Sequence, residues 1–245
     1  MRLDRYLANM GCGSRSEVKR LIRSGSATVN EQPIRNESFQ INPGSDVVVC
    51  WGAEVVYRKY VYLMLNKPAG VVSATEDPKE RTVLDLLDSK YLNKGIFPVG
   101  RLDKDTEGLL ILTNNGELGH KLLSPKKKVP KGYFVKVSEA ISPKDKESFR
   151  NGIILDDGYQ TRPAELKIIR SVGNYEAMVI IEEGKYHQIK RMFQALGNKV
   201  LYLKRLTMGG LSLDPELKTG DYRELTREEI NTIMGSFINN TPEAE

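Results

Sequence analysis

The sequence predicts an α+β protein, a mixed and mainly antiparallel sheet with interspersed helices, preceded by a small α/β module. Three observations carry this. Residues 60–235 read as short strand-like runs and helices without the regular alternation that builds a parallel sheet. Residues 1–51 have an apolar pattern of their own. A polar, poorly periodic stretch over 52–59 divides the two and reads as a linker. The expected organisation is a module over 1–51, that linker, a larger domain over 60–238 and a polar, acidic, disordered tail over 239–245. A chain of 245 residues is long enough for one large domain or for a small domain plus a medium one.

Taken in order, Leu3, Tyr6 and Leu7 fall at helical spacing. Ser14-Arg15-Ser16-Glu17 is a capping box, in which the Ser14 hydroxyl accepts from an early helical amide and Glu17 reaches back. Val18, Leu21 and Ile22 give the helix its apolar face, and Gly25 is placed to end it. Ala27–Asn30 and Val47–Trp51 read as strands, with turn signals at Gln32-Pro33 and Pro43-Gly44. Tyr60–Leu65 and Gly70–Ser73 flank a Lys67-Pro68-Ala69-Gly70 turn and predict a hairpin. Tyr133, Val135 and Val137 alternate along a further strand, and Ala177–Ile181 is another. Ser142-Pro143 starts one helix, and Thr226-Arg227-Glu228-Glu229 caps a C-terminal one. Ile189, Met192, Phe193 and Leu196 have helical periodicity with Gly197 as the stop.

Composition narrows the function classes. The net charge of +5 favours a polyanionic partner. The two cysteines and two histidines show no ligand spacing for a structural zinc site. No apolar run approaches membrane-spanning length, and a reducing, cytoplasmic compartment is expected. Arg15, Lys19 and Arg23 recur every four residues, so they share a helix face opposite the apolar stripe. Their mutual repulsion would be offset by a phosphate backbone. With Arg2, Arg5 and Arg20 they are the module's candidate RNA contacts.

The chemistry concentrates in Gly100-Arg101-Leu102-Asp103-Lys104-Asp105-Thr106-Glu107-Gly108, entered by Phe97-Pro98-Val99 and left by Leu109-Leu110-Ile111-Leu112. A carboxylate beside a cation and a hydroxyl thus sits between two buried segments, where scaffold-anchored loops do chemistry. In Gly184–Phe193, Lys190 lies beside the apolar helix face, so it is partly desolvated or snorkels its head to water. His187 reads as a strand-end residue rather than a general base, and Arg191 points further out. Phosphate-binding loops, dinucleotide glycine fingerprints and nucleophile elbows are absent from the sequence.

The Gly100–Gly108 run, Lys131-Gly132-Tyr133 and Gly184–Phe193, together with Leu63, Asn66-Lys67-Pro68, Arg205 and Gly209-Gly210, resemble the RNA pseudouridine synthases. The branch resembled is that of ribosomal small-subunit pseudouridine synthase A. Residues 1–51 look like the alpha-L RNA-binding module that this branch carries in front. The resemblance implies that Asp103 is the essential aspartate, that Tyr133 stacks on the target uracil and helps in proton removal, and that Lys190 pairs with the aspartate. It implies that Arg101 helps hold the place of a flipped nucleotide, and Arg191 and Arg205 join it as candidate RNA contacts. No metal or other cofactor is expected. The expected partner is ribosomal RNA or a partly assembled small subunit, met by a monomer, with one uridine of 16S rRNA as target. A large-subunit 23S rRNA enzyme and a non-catalytic ribosome-binding or assembly factor stand as alternatives.

Overall fold

The computed structural model describes residues 1–92, 94–173 and 175–235, and in it the three helices with capping boxes start where those boxes place them. Helix α1 is Leu3–Asn9 and α2 is Arg15–Arg23. The Ser14 amide donates to Glu17 Oε2 at 2.7 Å and the Glu17 amide donates to Ser14 Oγ at 3.4 Å, the reciprocal pair of a capping box. Gly25 takes φ +81° just beyond the helix, the left-handed turn that glycine allows without a Cβ penalty. Strands β1 (Ala27–Val29), β2 (Gln32–Ile34), β3 (Val48–Cys50) and β4 (Ala53–Glu54) form an antiparallel sheet in the order β2-β1-β3-β4. Leu3, Tyr6 and Leu7 from α1 and Val18 and Ile22 from α2 bury against Val48.

Two local readings change here. Gln32-Pro33 is not a turn. The chain reverses at Asn30 and Glu31, both left-handed (φ +49° and +69°), and Pro33 pairs opposite Thr28 on the edge strand β2, where a missing N–H is tolerated. The stretch 52–59 does not run free either. Trp51 and Gly52 make a second tight turn into β4, and Tyr57 stacks on Tyr6 with centroids 5.6 Å apart. The first compact unit accordingly runs from Met1 to Val61. It also takes in Leu87–Ile96, a later segment carrying the short helix α3 (Ser89–Leu92). Cys12 and Cys50, far apart in sequence, meet in hydrogen-bond contact as free thiols, and burial pushes Cys50 up to about 12.

The second unit comprises Tyr62–Leu86 and the chain from Phe97 onward. Its strands are β5 (Tyr62–Lys67), β6 (Phe97–Pro98), β7 (Glu107–Thr113), β8 (Lys131–Val137), β9 (Glu165–Arg170), β10 (Tyr175–Ile181), β11 (Val200–Met208), β12 (Leu211–Ser212) and β13 (Tyr222–Glu224). They form one mixed sheet in the order β13-β5-β7-β11-β8-β10-β9, with β12 on β11 and β6 on β7. The β7–β11 pair is parallel and the other pairs are antiparallel. Helices α4 (Gly116–Leu123), α5 (Pro143–Asn151), α6 (Gln188–Ala195) and α7 (Arg227–Gly235) complete the unit. The expected α+β class is what forms. Met64, Val99, Leu109, Ile111 and Leu122 belong to its apolar core.

Capping boxes at Ser142/Asp145 and Thr226/Glu229 start α5 and α7. The hairpin expected around Lys67–Gly70 does not form. Strand β5 pairs with β7 and β13, whereas Val72 only bridges Thr82. Gly70 (φ +85°) turns the chain aside, and its amide donates to the Lys104 carbonyl at 2.8 Å. The tail expected over 239–245 and the end of the domain at 238 lie outside the described residues. Among the described residues no helix is long and apolar enough to cross a membrane.

Candidate active site

The Asp103 loop is the connection between β6 and β7, and buried donors and acceptors hold its shape. The Leu102 amide donates to Ser73 Oγ at 3.1 Å, and that hydroxyl donates back to the Leu102 carbonyl at 3.0 Å. The Thr106 amide closes a turn onto the Asp103 carbonyl at 3.1 Å. Lys67, fully buried at the end of β5, points Nζ at the carbonyls of Pro68, Asp103, Lys104 and Thr106, at 3.0, 3.1, 3.3 and 2.9 Å. Burial pushes this ammonium down to about 8, against the pull of the Asp105, Asp103 and Glu107 carboxylates. Gly108 (φ +101°) then lets β7 run against β11, for a Cβ there would sit 2.2 Å from the Arg205 carbonyl oxygen.

Helix α6 brings Lys190 to this loop. Its Nζ lies 3.0 Å from Asp103 Oδ2 and 2.6 Å from Asp105 Oδ1. Burial alone would lower the Lys190 ammonium, but hydrogen bonds to the two carboxylates outweigh it and the net shift is upward. For Asp105, burial works upward, and the Lys190 hydrogen bond overrides it to leave the carboxyl below its ordinary value. The expectation was one carboxylate for this lysine. It serves two, of which Asp105 is three-quarters exposed and Asp103 about one quarter.

Asp103 opens on a cleft of about 80 Å³ lined by Arg101, Thr106, Tyr133, His187 and Leu203, among others. Tyr133 comes from the central strand β8, where it pairs opposite Arg205 and Val179 and is largely buried. Arg101 is exposed at the rim. His187, read from the sequence as a bystander, belongs to the site. It takes a left-handed conformation (φ +47°) ahead of α6, and its Nε2 lies 3.6 Å from Asp103 Oδ1. The site therefore presents a carboxylate held by an ammonium, a buried phenol and a rim cation. Such a set can bind an extruded planar base and act on its sugar.

Residues 61–195 match the model of a family described as RNA pseudouridylate synthase, and residues 1–47 match the S4 domain. The chain belongs to the RNA pseudouridylate synthase family. It is 49% identical to an uncharacterized RNA pseudouridine synthase of Bacillus subtilis over 95% of this chain and 98% of the relative. It is 38% identical to the ribosomal small subunit pseudouridine synthase A of Escherichia coli (strain K12), over 96% of this chain and all of that one. A crystal structure of a pseudouridylate synthase superposes with a TM-score of 0.67 at 34% identity, covering 95% of this chain and 99% of that one.

The cationic residues expected to meet RNA fare unevenly in this synthase. Arg205 does not reach a surface. It is buried in β11, and its Nε donates to the Leu109 carbonyl at 2.7 Å, so it joins β7 to β11. Arg191 is drawn to Asp156 and to Asp157, the latter at 2.8 Å, and its charge is already matched. In the S4 domain Arg2 pairs with Asp4 at 2.7 Å and Arg23 grips Glu37 through two hydrogen bonds of 2.7 and 2.9 Å. The repulsion along α2 is thus relieved in part within the chain. Lys19 is half-buried within the field of Asp4 and Glu37. Arg5, Arg15 and Arg20 are exposed and carry no ion pair among the described residues. Sequence reasoning missed Lys67 and Asp105 as parts of the site. For Lys67 the available signals were its place at the end of an apolar strand and in the Asn66-Lys67-Pro68 run that carries the resemblance.

Proposed function

We propose that this pseudouridine synthase isomerises one uridine of small-subunit 16S rRNA, with Asp103 as its catalytic carboxylate. One observation carries the reading: Asp103 lies 3.0 Å from the Lys190 ammonium on the wall of a cleft shared with Tyr133 and Arg101. A stacked uridine is out of reach, so the base is extruded at a cost of a few kcal/mol. Arg101 and the exposed Arg5, Arg15 and Arg20 offset that cost through phosphate contacts. Tyr133 offers the ring a stacking surface worth about 1–3 kcal/mol. The N1–C1′ bond breaks, the uracil turns, C5 bonds to C1′, and the C5 proton is released while N1 gains one. Asp103 acts on the sugar as nucleophile at C1′ or as base at C2′. Both routes use a carboxylate, and the Lys190 ammonium 3.0 Å away holds that group in place. Tyr133 assists removal of the C5 proton.

The small-subunit target rests on the relatives, since several at about 40% identity over nearly the whole chain are named ribosomal small subunit pseudouridine synthase A. A non-catalytic ribosome binder would have no use for a carboxylate–ammonium pair inside a cleft. The reading places the protein in the cytoplasm, working as a monomer on rRNA or a partly assembled small subunit. Pseudouridine mapping of rRNA from cells with and without the gene is the test, repeated with Asp103→Asn. Loss of a single 16S pseudouridine in both the deletion and the variant is expected. A lost 23S site moves the target to the large subunit, and full modification by Asp103→Asn overturns the assigned carboxylate.

A further inference from the structure

Next to the cleft, one aromatic ring is held in solvent by machinery that has no bearing on the reaction as described. Tyr186 is 72% exposed, and its ring lies on the His187 imidazole with centroids 3.8 Å apart and planes within 19°. Among the described residues His187 is its one ring contact, so the opposite face of the phenol is open. Nearby cations are occupied elsewhere. Lys185 Nζ sits 4.4 Å from the Tyr159 ring centroid, and Arg191 is bound to Asp156 and Asp157.

The pair occupies the two central positions of a turn closed by the Gln188 amide, which donates to the Lys185 carbonyl at 3.2 Å. Gln188 is buried. Its Oε1 accepts from the Lys185 amide at 2.9 Å, and its Nε2 donates to Glu183 Oε1 at 2.8 Å. Glu183, also buried, accepts in addition from the Tyr159 hydroxyl at 2.7 Å and the Arg162 amide at 2.9 Å. His187 is left-handed at φ +47°, a conformation that costs a non-glycine residue free energy. A buried polar network and a strained backbone are therefore combined to present an apolar ring to water. The inner ring of the stack is the one whose Nε2 lies 3.6 Å from Asp103.

We propose that Tyr186, backed by His187, is a second base-stacking surface that takes the unpaired nucleobase adjacent to the uridine held at Asp103. The inference rests on the function proposed above and adds to it a preference for single-stranded sequence around the target. Aromatic stacking of this kind tolerates any base, because every base has a π face. A preorganised ring saves the ordering cost that a mobile loop would bring to binding. Tyr133 and Tyr186 would then hold neighbouring bases apart, one inside the cleft and one outside it.

The test uses the full chain and a seven-nucleotide RNA with a central uridine among cytidines, together with versions lacking the base on either side of that uridine. Affinity is read by fluorescence anisotropy for wild type, Tyr186→Ala and Tyr186→Trp. Tyr186→Ala should bind the intact RNA about 5- to 150-fold more weakly, and Tyr186→Trp should bind it as wild type does. One of the abasic RNAs should erase the difference between wild type and Tyr186→Ala, a cancellation that a merely structural role would not produce. Equal affinities for the intact RNA, additive losses with both abasic RNAs, or no detectable wild-type binding would overturn the stacking surface. Failure of the assigned function registers separately, as an unchanged rRNA pseudouridine map on deletion of the gene, and leaves the binding comparison to judge Tyr186.

Discussion

Replacing Lys67 with methionine removes the charge that ties the Asp103 loop to β5 while keeping most of the side-chain volume. Four carbonyl oxygens within 3.3 Å of its Nζ lose that donor. The Asp103 and Lys104 carbonyls keep the Thr106 and Gly70 amides as donors, so at most the Pro68 and Thr106 carbonyls are left unpaired, and at about 1–3 kcal/mol each they amount to about 2–6 kcal/mol. Against this, the variant is spared the cost of keeping an ammonium out of water. A pKa of about 8 in place of 10.5 puts that saving at roughly 3 kcal/mol. The net expectation at pH 7 is a destabilisation of about 1 kcal/mol, read from urea unfolding. The pH dependence isolates the cause. The unfolded chain holds the Lys67 proton up to about 10.5 and the folded one releases it near 8, so between these values the unfolded state binds more protons. Wild-type stability from this group therefore rises with pH across that window, is complete above 10.5 and is lost as pH falls through 8. Lys131, also pushed down to about 8 by burial, titrates alongside, which is why the comparison must be with the variant. The gap between wild type and Lys67→Met should widen by roughly 3 kcal/mol from pH 8 to 10.5. Parallel curves through that window would refute the picture of a desolvated ammonium.

The shared lysine makes Asp105 a supporting group, so Asp105→Asn should lower kcat only severalfold in a pseudouridine release assay. A loss as large as that of Asp103→Asn would exchange their roles. Gly108→Ala should destabilise the fold by more than about 3 kcal/mol in thermal or urea unfolding, since the new methyl meets the β11 backbone 2.2 Å away and the position has φ +101°. Arg15→Glu with Arg20→Glu should weaken rRNA binding and flatten its salt dependence by about two counterions, with unfolding midpoints unchanged. An unaltered salt slope would mean that another face of the S4 domain meets RNA.

Much of the fold was legible because its signals are local. The boxes at Ser14, Ser142 and Thr226 each bond within three residues, so the chain announces those helix starts without knowing what lies across from them. The strand of Tyr133 is visible in its alternation. Errors gathered where a local signal met a strand partner that the signal does not announce. Pro33 reads as a turn until Thr28 is seen opposite it in an edge strand, and Lys67–Gly70 reads as a hairpin until β5 is seen to pair with β7 and β13.

Sequence by itself determined the fold class, the starts of the capped helices and the kinds of groups available, since caps, periodicity and motif composition are properties of neighbouring residues. Tertiary structure alone decided what those groups meet. Lys190 reaches a carboxylate 85 residues away, Lys67 reaches carbonyls 36 to 39 residues away, and Arg205 is claimed by a carbonyl 96 residues away, where an exposed contact had been expected. The physical reason is desolvation. Whether a charged side chain serves RNA, a carboxylate or a buried carbonyl depends on how much water its surroundings leave it, and packing sets that quantity.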